Sequence, residues 1–214
     1  MDPKLQKILE SYEERAAAEA SVLRSLPSEE LERRIDEFLI PVGPDTGKFL
    51  HTLVKSSRAT CVVEIGASYG YSTLWLADAA RLTGGKVHSF ELSSSKVEYA
   101  QEKLRSVGLD GFVQFHVGDV FDHLPSLAGP IDLVLIDCWK VLYEPCFELV
   151  HPKLADEGIV VADNMLYPVE SRPDAQKYQK LVRSKPDMES VALPMGSGID
   201  VARRRSSTPV RSLA

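Results

Sequence analysis

Few cysteines, no long apolar run and a deficit of positive charge set the first limits on this 214-residue chain. Three cysteines are too few and too odd in number for a disulfide framework. No stretch approaches the roughly 20 apolar residues of a membrane span, and the charged residues 1–10 lack the apolar core of a signal peptide. We therefore expect a cytoplasmic protein with no membrane segment.

Several binding motifs are also missing. The dinucleotide fingerprint G-x-G-x-x-G is absent, the five histidines have no metal-ligand spacing, and there is no C-x-x-C pair. Lys and Arg number 25 against 31 Asp and Glu, and the net charge of −6 argues against broad nucleic-acid binding. The basic run at 203–205 begins a polar tail, which we interpret as a solvated chain end, with contact to RNA as the alternative.

The sequence divides into three regions by its pattern of apolar and polar residues. Residues 1–57 have helical periodicity and are predicted to form an N-terminal helical extension. Within it, a second helix opens at Ser28 and stops at the Pro41–Pro44 segment, and a third runs from Asp45 or Thr46 to Leu53. Residues 58–205 are predicted to form the main domain, and 206–214 a disordered tail.

The main domain alternates short apolar runs with helical stretches. The apolar runs are 61–66, 86–91, 113–117, 131–137 and 158–163, and the helical stretches lie near 71–82, 94–106 and 141–151. This order predicts an α/β fold with a doubly wound, mostly parallel sheet. Two further runs, 190–194 and 199–202, are separated by a glycine-containing turn and predict an antiparallel hairpin at the sheet edge.

A glycine turn follows the first predicted strand, where ligands of doubly wound sheets bind. Gly66 allows a sharp turn and a close approach to a ligand, and Gly70 allows entry into the next helix. Glu91 ends the second strand 25 residues after Gly66, at a position suited to accept the hydroxyls of a ribose. Asp119 ends the third strand and either accepts an adenine amino group or caps the following helix. The pattern favours a nucleoside-containing ligand.

Polar residues end two further strands. Asp137 follows the fourth run, and Asp163 and Asn164 follow the fifth. A carboxylate at the end of a buried strand is costly without a partner, and three oxygen ligands of this kind suit magnesium. Consecutive strand residues point to opposite faces, so Asp163 and Asn164 converge only if the strand has already ended; the alternative is that they simply begin a loop.

The segment after Asp137 carries three more candidates. Lys140 is either a proton acceptor or a charge-balancing neighbour of Asp137. We interpret Cys138 as a packing residue, since no base lies near it in sequence. Trp139 either walls an aromatic substrate or fills the core.

Taken together, these segments resemble the class I S-adenosylmethionine-dependent O-methyltransferases, and more narrowly the cation-dependent caffeoyl-coenzyme A and catechol O-methyltransferases and their small bacterial relatives. The resemblance runs from about Pro41 to Arg204. It is carried by the segments 44–50, 64–72, 137–143, 163–166 and 194–203.

The resemblance implies a Rossmann-like sheet of seven strands and a set of site residues. Those implied to line the S-adenosylmethionine pocket are Val42, Glu64, Gly66, Ala67, Ser72, Glu91, Asp119, Val120 and Asp137. Those implied to bind the cation are Asp137, Asp163 and Asn164, with Lys140 and Asp137 as the catalytic pair. The chain departs from the family pattern at Cys138-Trp139, at Tyr167 and in a shortened loop after it, all of which concern the substrate.

The predicted function is methyl transfer from S-adenosylmethionine to a small catechol-like aromatic, assisted by magnesium, with manganese or calcium as alternatives. A cation bound to two vicinal oxygens would favour the reactive oxyanion. Three alternatives stay open: a tRNA hydroxynucleoside O-methyltransferase, a nicotinamide-dependent oxidoreductase and a non-catalytic binding domain. The family also suggests a homodimer, with the N-terminal helices either covering the site or pairing two subunits.

Overall fold

The strands predicted from the sequence form one sheet. The computed structural model describes residues 2–206, and in it the strands are β1 (Cys61–Ile65), β2 (Lys86–Glu91), β3 (Val113–Val117), β4 (Ile131–Ile136), β5 (Leu154–Ala162), β6 (Met188–Leu193) and β7 (Ile199–Arg204). Their order is β3-β2-β1-β4-β5-β7-β6. The first five are parallel, and β7 is antiparallel to both β5 and β6. The predicted fold class, including the edge hairpin, is confirmed.

The strand order reverses on either side of β1, since β2 lies on one side and β4 on the other. A crevice opens at such a switch point beyond the carboxyl ends of the strands, because the connections leave in opposite directions. The crevice of this fold is therefore bordered by the residues that follow β1, β2, β4 and β5.

Helices cover both faces of the sheet. They are α1 (Pro3–Ser25), α2 (Ser28–Arg34), α3 (Pro44–Ser57), α4 (Tyr71–Thr83), α5 (Ser94–Ser106), α6 (Val120–His123), α7 (Tyr143–Val150) and α8 (Arg172–Ser184). Adjacent residues of β1 show the two layers, because Val63 packs with Phe147 and Tyr178 whereas Val62 packs with Leu50 and Leu76. Burial on both faces explains why the central strands are continuous apolar runs.

The N-terminal extension contains three helices, but the predicted end of the second helix and both predicted ends of the third are wrong. The second helix was expected to continue to Pro41, yet α2 ends at Arg34 and is followed by a 3₁₀ turn at Ile35–Glu37. The chain then becomes extended because the amide of Leu39 donates to Glu19 Oε2 of α1 at 2.6 Å, which buries Leu39. A tertiary contact therefore outweighs local helix propensity here.

The third helix is longer than predicted at both ends. It begins at Pro44, a favoured residue for the first helical position, and ends at Ser57 before Arg58 in the left-handed region. At the other end of the chain, β7 includes Arg203 and Arg204, so the basic run begins within the sheet and not in a frayed tail. Of the predicted disordered tail at 206–214, residues 207–214 lie outside the described residues. None of the helices within residues 2–206 combines the length and the apolarity needed to cross a membrane.

Candidate active site

The glycine turn after β1 is pressed against the end of β4. Gly66 has φ of +96°, and a Cβ atom at this position would overlap the backbone carbonyl oxygen of Asp137. The amides of Gly66 and Ala67 both donate to the carbonyl of Phe90, at 3.0 and 3.2 Å. Only glycine combines this backbone conformation with so close an approach, so Gly66 brings the ends of β1, β2 and β4 together.

Glu91 lies beside this turn, as the sequence predicted. Its Oε2 accepts a hydrogen bond from the amide of Ser68 at 2.8 Å, and its Oε1 accepts one from the amide of Ser93 at 3.0 Å. The structure therefore brings together the glycine turn and the acid expected to meet a ribose.

Glu64 lies beneath the turn and is completely buried. Its Oε1 accepts a hydrogen bond from Ser72 at 2.6 Å, and its Oε2 accepts from Thr73 at 2.7 Å and from Ser89 at 2.5 Å. Burial raises the pKa of Glu64, and the three hydroxyl donors oppose that rise. Glu64 and Ser72, both predicted to line the donor pocket, are thus hydrogen-bonded to each other and join β1 and β2 to the first turn of α4.

Three other residues of the predicted donor pocket lie in different surroundings. Asp119 Oδ1 accepts from the amide of Phe121 at 3.0 Å and so caps α6, which is one of the two roles considered for it. Val120 is the buried first residue of that helix. Val42 is buried before α3 in the apolar cluster that contains Trp75 of α4.

The two strand-end carboxylates lie on adjacent strands. The amide of Asp137 donates to the carbonyl of Ile65 at 2.9 Å, and the amide of Asp163 donates to the carbonyl of Ile136 at 3.1 Å. β5 ends at Ala162, and Asn164 has φ of +51°. The strand has therefore ended before Asp163, so the side chains of Asp163 and Asn164 are not required to point to opposite faces. This is the condition under which the two side chains can converge.

Asp163 is completely buried, and neither of its carboxylate oxygens accepts a hydrogen bond of ordinary geometry from the described part of the chain. Burial and the charge of Asp137 raise the pKa of Asp163, while the amide of Asn164 and the charge of Lys140 lower it in part. Burial also raises the pKa of Asp137, with Lys140 opposing. Two acids that each disfavour the other's charge would be stabilised together by a cation.

Lys140 lies close to Tyr143 and Asn164. Its Nζ donates to the hydroxyl of Tyr143 at 2.6 Å and to Oδ1 of Asn164 at 3.5 Å. The Tyr143 hydroxyl donates in turn to the backbone carbonyl of Asp163 at 3.1 Å. Burial lowers the pKa of Lys140, and the charges of Asp137 and Asp163 oppose that shift. The buried Tyr143 was not predicted as a site residue, although its spacing of one helical turn from Lys140 was the available signal.

The residues beside Asp137 divide between core and surface. The Cys138 thiol contacts that of Cys146, which is buried, in agreement with the packing interpretation of Cys138. Trp139 is 58% exposed and therefore does not fill the core. Leu166 and Tyr167, which follow the second acid, are also exposed, at 46% and 64%. Exposed apolar side chains thus flank both strand ends that carry the acids.

We also searched the described residues for clusters of metal ligands and for surface clefts. Within residues 2–206, no three side chains of His, Cys, Asp or Glu are arranged to hold a metal ion. Surface clefts of about 540 and 430 Å³ lie along α3, the first beside the β6–β7 turn and the second beside α1. Neither cleft is lined by Asp137 or Asp163, so the acids lie apart from both.

Comparison with known proteins adds the family. Residues 63–165, which run from the middle of β1 to just beyond β5 and contain both candidate acids, match the sequence profile of a family described as "Methyltransferase domain". The match covers 103 of the 214 residues, so just under half of the chain is similar to a methyltransferase domain. The family resemblance predicted from the sequence is confirmed.

Relatives of the methyltransferase domain are O-methyltransferases by name. A catechol O-methyltransferase of Niastella koreensis is 34% identical over 131 residues, which are 59% of this chain and 59% of the relative. A catechol O-methyltransferase of Mycobacterium tuberculosis is 39% identical over 129 residues, which are 59% of this chain and 58% of the relative. The match thus spans less than two thirds of the length of either relative.

A solved structure supports the same fold over most of the chain. The O-methyltransferase from Bacillus cereus, solved in complex with S-adenosylhomocysteine, superposes with a TM-score of 0.73 at 25% identity. The superposition covers 91% of this chain and 100% of the Bacillus protein.

Proposed function

We propose that this chain is an S-adenosylmethionine-dependent O-methyltransferase that uses a divalent cation and acts on a small, catechol-like hydroxylated aromatic. The observation that carries the proposal is the Asp163 carboxylate, which is completely buried and neither of whose oxygens accepts a hydrogen bond of ordinary geometry from the described residues. A buried carboxylate without a partner is costly unless a ligand completes its surroundings.

The methyl donor is proposed to bind at the glycine turn. Glu91 would accept the ribose hydroxyls, and the backbone at Gly66 and Ala67 would approach the donor closely. The rest of the proposed pocket is the set implied by the family: Val42, Glu64, Ser72, Asp119, Val120 and Asp137. The Bacillus cereus structure, which holds S-adenosylhomocysteine on the same fold, supports this choice of cofactor.

The donor set of the second site fits a hard cation. Asp137, Asp163 and Asn164 offer carboxylate and amide oxygens, which magnesium prefers, and the unpartnered oxygens of Asp163 are available for it. When bound, such an ion favours the oxyanion of an acceptor hydroxyl and orients it. Manganese and calcium share this ligand preference.

Lys140 is proposed to accept the proton of the acceptor hydroxyl at its Nζ. Its pKa is lowered by burial, which favours the neutral amine that this role needs. Its bond to Tyr143 holds Nζ in place beside Asn164. The remaining task of the protein is alignment, because methyl transfer from a sulfonium is an in-line displacement.

A small aromatic acceptor is favoured by the surface at the site. Trp139 and Tyr167 are exposed beside the two acids, where flat apolar rings suit an aromatic ligand. Two catechol O-methyltransferases among the relatives point to the same substrate class.

The tRNA alternative is weakened by the partners of the basic run. Arg203 pairs with Glu157 at 2.9 Å and Arg204 with Asp187 at 3.0 Å, and Arg205 lies 4.0 Å from Glu189. Their charges are therefore partly balanced within the fold, which leaves less of a patch for phosphates.

Chelation tests the proposal. We expect methyl transfer to a catechol to be lost after metal removal and restored by magnesium or manganese, with binding of S-adenosylhomocysteine retained. Total tRNA serves as the competing acceptor, and NADH as the competing ligand in calorimetry. Full turnover by metal-free enzyme would contradict the cation's role, and binding of NADH in place of S-adenosylhomocysteine would contradict the cofactor.

The homodimer and the cytoplasmic location are part of the same proposal. The family resemblance supports the dimer, and the low cysteine count supports the reducing compartment. Light scattering of the purified full chain would measure the mass, and a monomer at working concentration would contradict the dimer.

A further inference from the structure

The N-terminal helix α1 reaches the glycine turn through one buried tyrosine. Tyr12 is 1% exposed, and its ring lies 5.9 Å from the rings of both Tyr71 and Tyr99. Its hydroxyl donates to the backbone carbonyl of Tyr69 at 2.7 Å. A residue outside the methyltransferase domain thus contacts the main chain of the turn proposed to bind the methyl donor.

The bond from Tyr12 fixes one end of a single peptide plane. The Tyr69 carbonyl and the Gly70 amide belong to the same peptide, and the Gly70 amide donates to the carbonyl of Ala67 at 2.9 Å. Both residues around Tyr69 have positive φ, +48° at Ser68 and +92° at Gly70. A non-glycine residue in this conformation carries strain and is maintained only when its surroundings hold it.

A second tether holds the side chain of Tyr69. Its hydroxyl donates to the backbone carbonyl of Asp36 at 3.0 Å, and the Arg15 guanidinium lies 4.5 Å from its ring centroid. The Asp36 carboxylate accepts from Lys96 Nζ at 2.6 Å, which secures that segment against α5. Both the main chain and the side chain of Tyr69 are therefore held by residues that precede β1.

The held turn leads directly to the predicted ribose acid, because the Ser68 amide donates to Glu91 at 2.8 Å. We infer that Tyr12 is a positioning residue that keeps the turn 66–70 in the conformation that binds the methyl donor, and that docking of α1 and binding of the donor favour each other. The inference rests on the proposed function in one respect, since it takes this turn as the donor site. Linkage makes the coupling reciprocal, so bound donor should also stabilise the docked α1.

Replacement of Tyr12 by Phe removes the hydroxyl and keeps the ring in the cluster. We expect Tyr12→Phe to raise the dissociation constant of S-adenosylhomocysteine and the KM for S-adenosylmethionine by about three- to tenfold, the scale of one lost hydrogen bond, with kcat little changed. Tyr99→Phe is the matched control, because Tyr99 lies in the same cluster but its hydroxyl contacts Arg15. It should bind the ligand as the wild type does.

Amide hydrogen exchange gives a readout that does not depend on the ligand. In the ligand-free protein we expect the amide of Gly70 to exchange faster in Tyr12→Phe than in the wild type or in Tyr99→Phe. Tyr69→Phe, which removes the bond to Asp36, is a second variant and should also speed this exchange. If the wild type failed to bind S-adenosylhomocysteine, the proposed function would fall, and faster exchange would still support the tether.

Two results would overturn the inference. One is Gly70 exchange in Tyr12→Phe that is no faster than in Tyr99→Phe. The other is a normal dissociation constant for S-adenosylhomocysteine in Tyr12→Phe. A general loss of stability would instead change Tyr12→Phe and Tyr99→Phe alike and would not separate KM from kcat, so it would also count against a positioning role.

Discussion

Glu64 and Asp163 are two completely buried acids near the carboxyl ends of strands in one sheet, yet their surroundings are opposite. Glu64 accepts hydrogen bonds from three hydroxyls, whereas neither oxygen of Asp163 accepts a hydrogen bond of ordinary geometry from the described residues. Burial raises the pKa of both carboxyls. Burial of an acid alone therefore does not indicate a binding site. A buried acid that lacks hydrogen-bond donors indicates one, because a ligand would have to complete its surroundings.

The two acids also differ in what they connect. The donors to Glu64 come from β2 and from the first turn of α4, so its carboxylate joins three elements of the fold. The groups around Asp163 are a second acid, an amide and a lysine. The first arrangement is complete within the protein, whereas the second would be stabilised by an added positive charge.

The largest expected effect comes from neutralising Asp163. Asp163→Asn should lower kcat/KM by on the order of a hundredfold or more at saturating magnesium, because a cation ligand is lost. In metal-free protein the same change should raise the free energy of unfolding by on the order of 1 kcal/mol, since it removes a carboxyl that must either take up a proton or remain as an unpaired charge when it is buried.

Radiolabelled methyl transfer and urea unfolding measure these two quantities. Asp122→Asn, at an exposed carboxylate of α6, is the control and should change neither. Loss of stability in metal-free Asp163→Asn would mean that Asp163 is partnered like Glu64, and the comparison would fail.

The second largest effect is expected from replacing Gly66, in the turn that follows Glu64 and contacts Asp137. Gly66→Ala should lower the free energy of unfolding by about 3 kcal/mol, because the new methyl group meets the Asp137 carbonyl as well as an unfavourable φ. Gly43→Ala is the matched control, with φ of +84° but no atom within 4 Å of its Cβ position. It should cost about 1 kcal/mol, and equal losses in denaturant unfolding would show that the close approach is unimportant.

Removal of a donor tests the Glu64 half of the comparison. Thr73→Val keeps the side-chain shape but deletes the hydroxyl bonded to Glu64 Oε2, so we expect a loss of about 2 kcal/mol, the scale of a hydrogen bond to a charged group. Thr52→Val, on the exposed surface of α3, should change stability by less than about 0.5 kcal/mol. Calorimetric unfolding of both variants measures these changes. An unchanged free energy of unfolding in Thr73→Val would show that Glu64 does not need its donors.

The smallest effect sharpens the comparison with a third buried acid, one whose partners are basic. His51 Nε2 lies 3.0 Å from one oxygen of Asp78, and Arg81 Nη2 lies 2.8 Å from the other. The hydrogen bond from His51, opposed by burial and helped by Arg81, lowers the pKa of Asp78 to about 2. A lowered pKa contributes stability above the unfolded value near 3.9, and that stability is lost as pH falls through about 2.

Asp78→Asn should therefore cost about 1.5 kcal/mol at pH 7, and the difference from wild type should shrink between about pH 4 and pH 2. Urea unfolding over this pH range measures it. A difference that stays constant with pH would assign the effect of Asp78 to packing and not to charge.

Much of the sheet could be predicted from the sequence, because its central strands are buried on both faces and read as continuous apolar runs. The predicted bounds of β1 to β4 agree with the structure to within one residue. The run at 158–163 recovered only the buried half of β5, since the part from Leu154 contains exposed charged residues. The end of α2 was missed because the contact between Leu39 and Glu19 joins residues that are 20 apart in sequence.

The candidate site was predictable to a similar extent. Strand-end acids and the glycine turn follow from position along the chain, and the structure brings Asp137, Asp163 and Asn164 to adjacent strand ends. The bond from Ser72 to Glu64 was not predictable from these patterns, because a hydroxyl shows no periodic signal, and the bond from Lys140 to Tyr143 had only their spacing of one helical turn to indicate it.

The sequence by itself determined the alternation of strands and helices, the turn at Gly66 and the acids that end the strands, since each depends on residue type and local order. Only the tertiary structure decided which buried acid is supplied with donors and which is left open, and that α1 reaches back to Tyr69. The physical reason is that a hydrogen bond depends on where two groups meet in space, and the partners here are up to 57 residues apart along the chain.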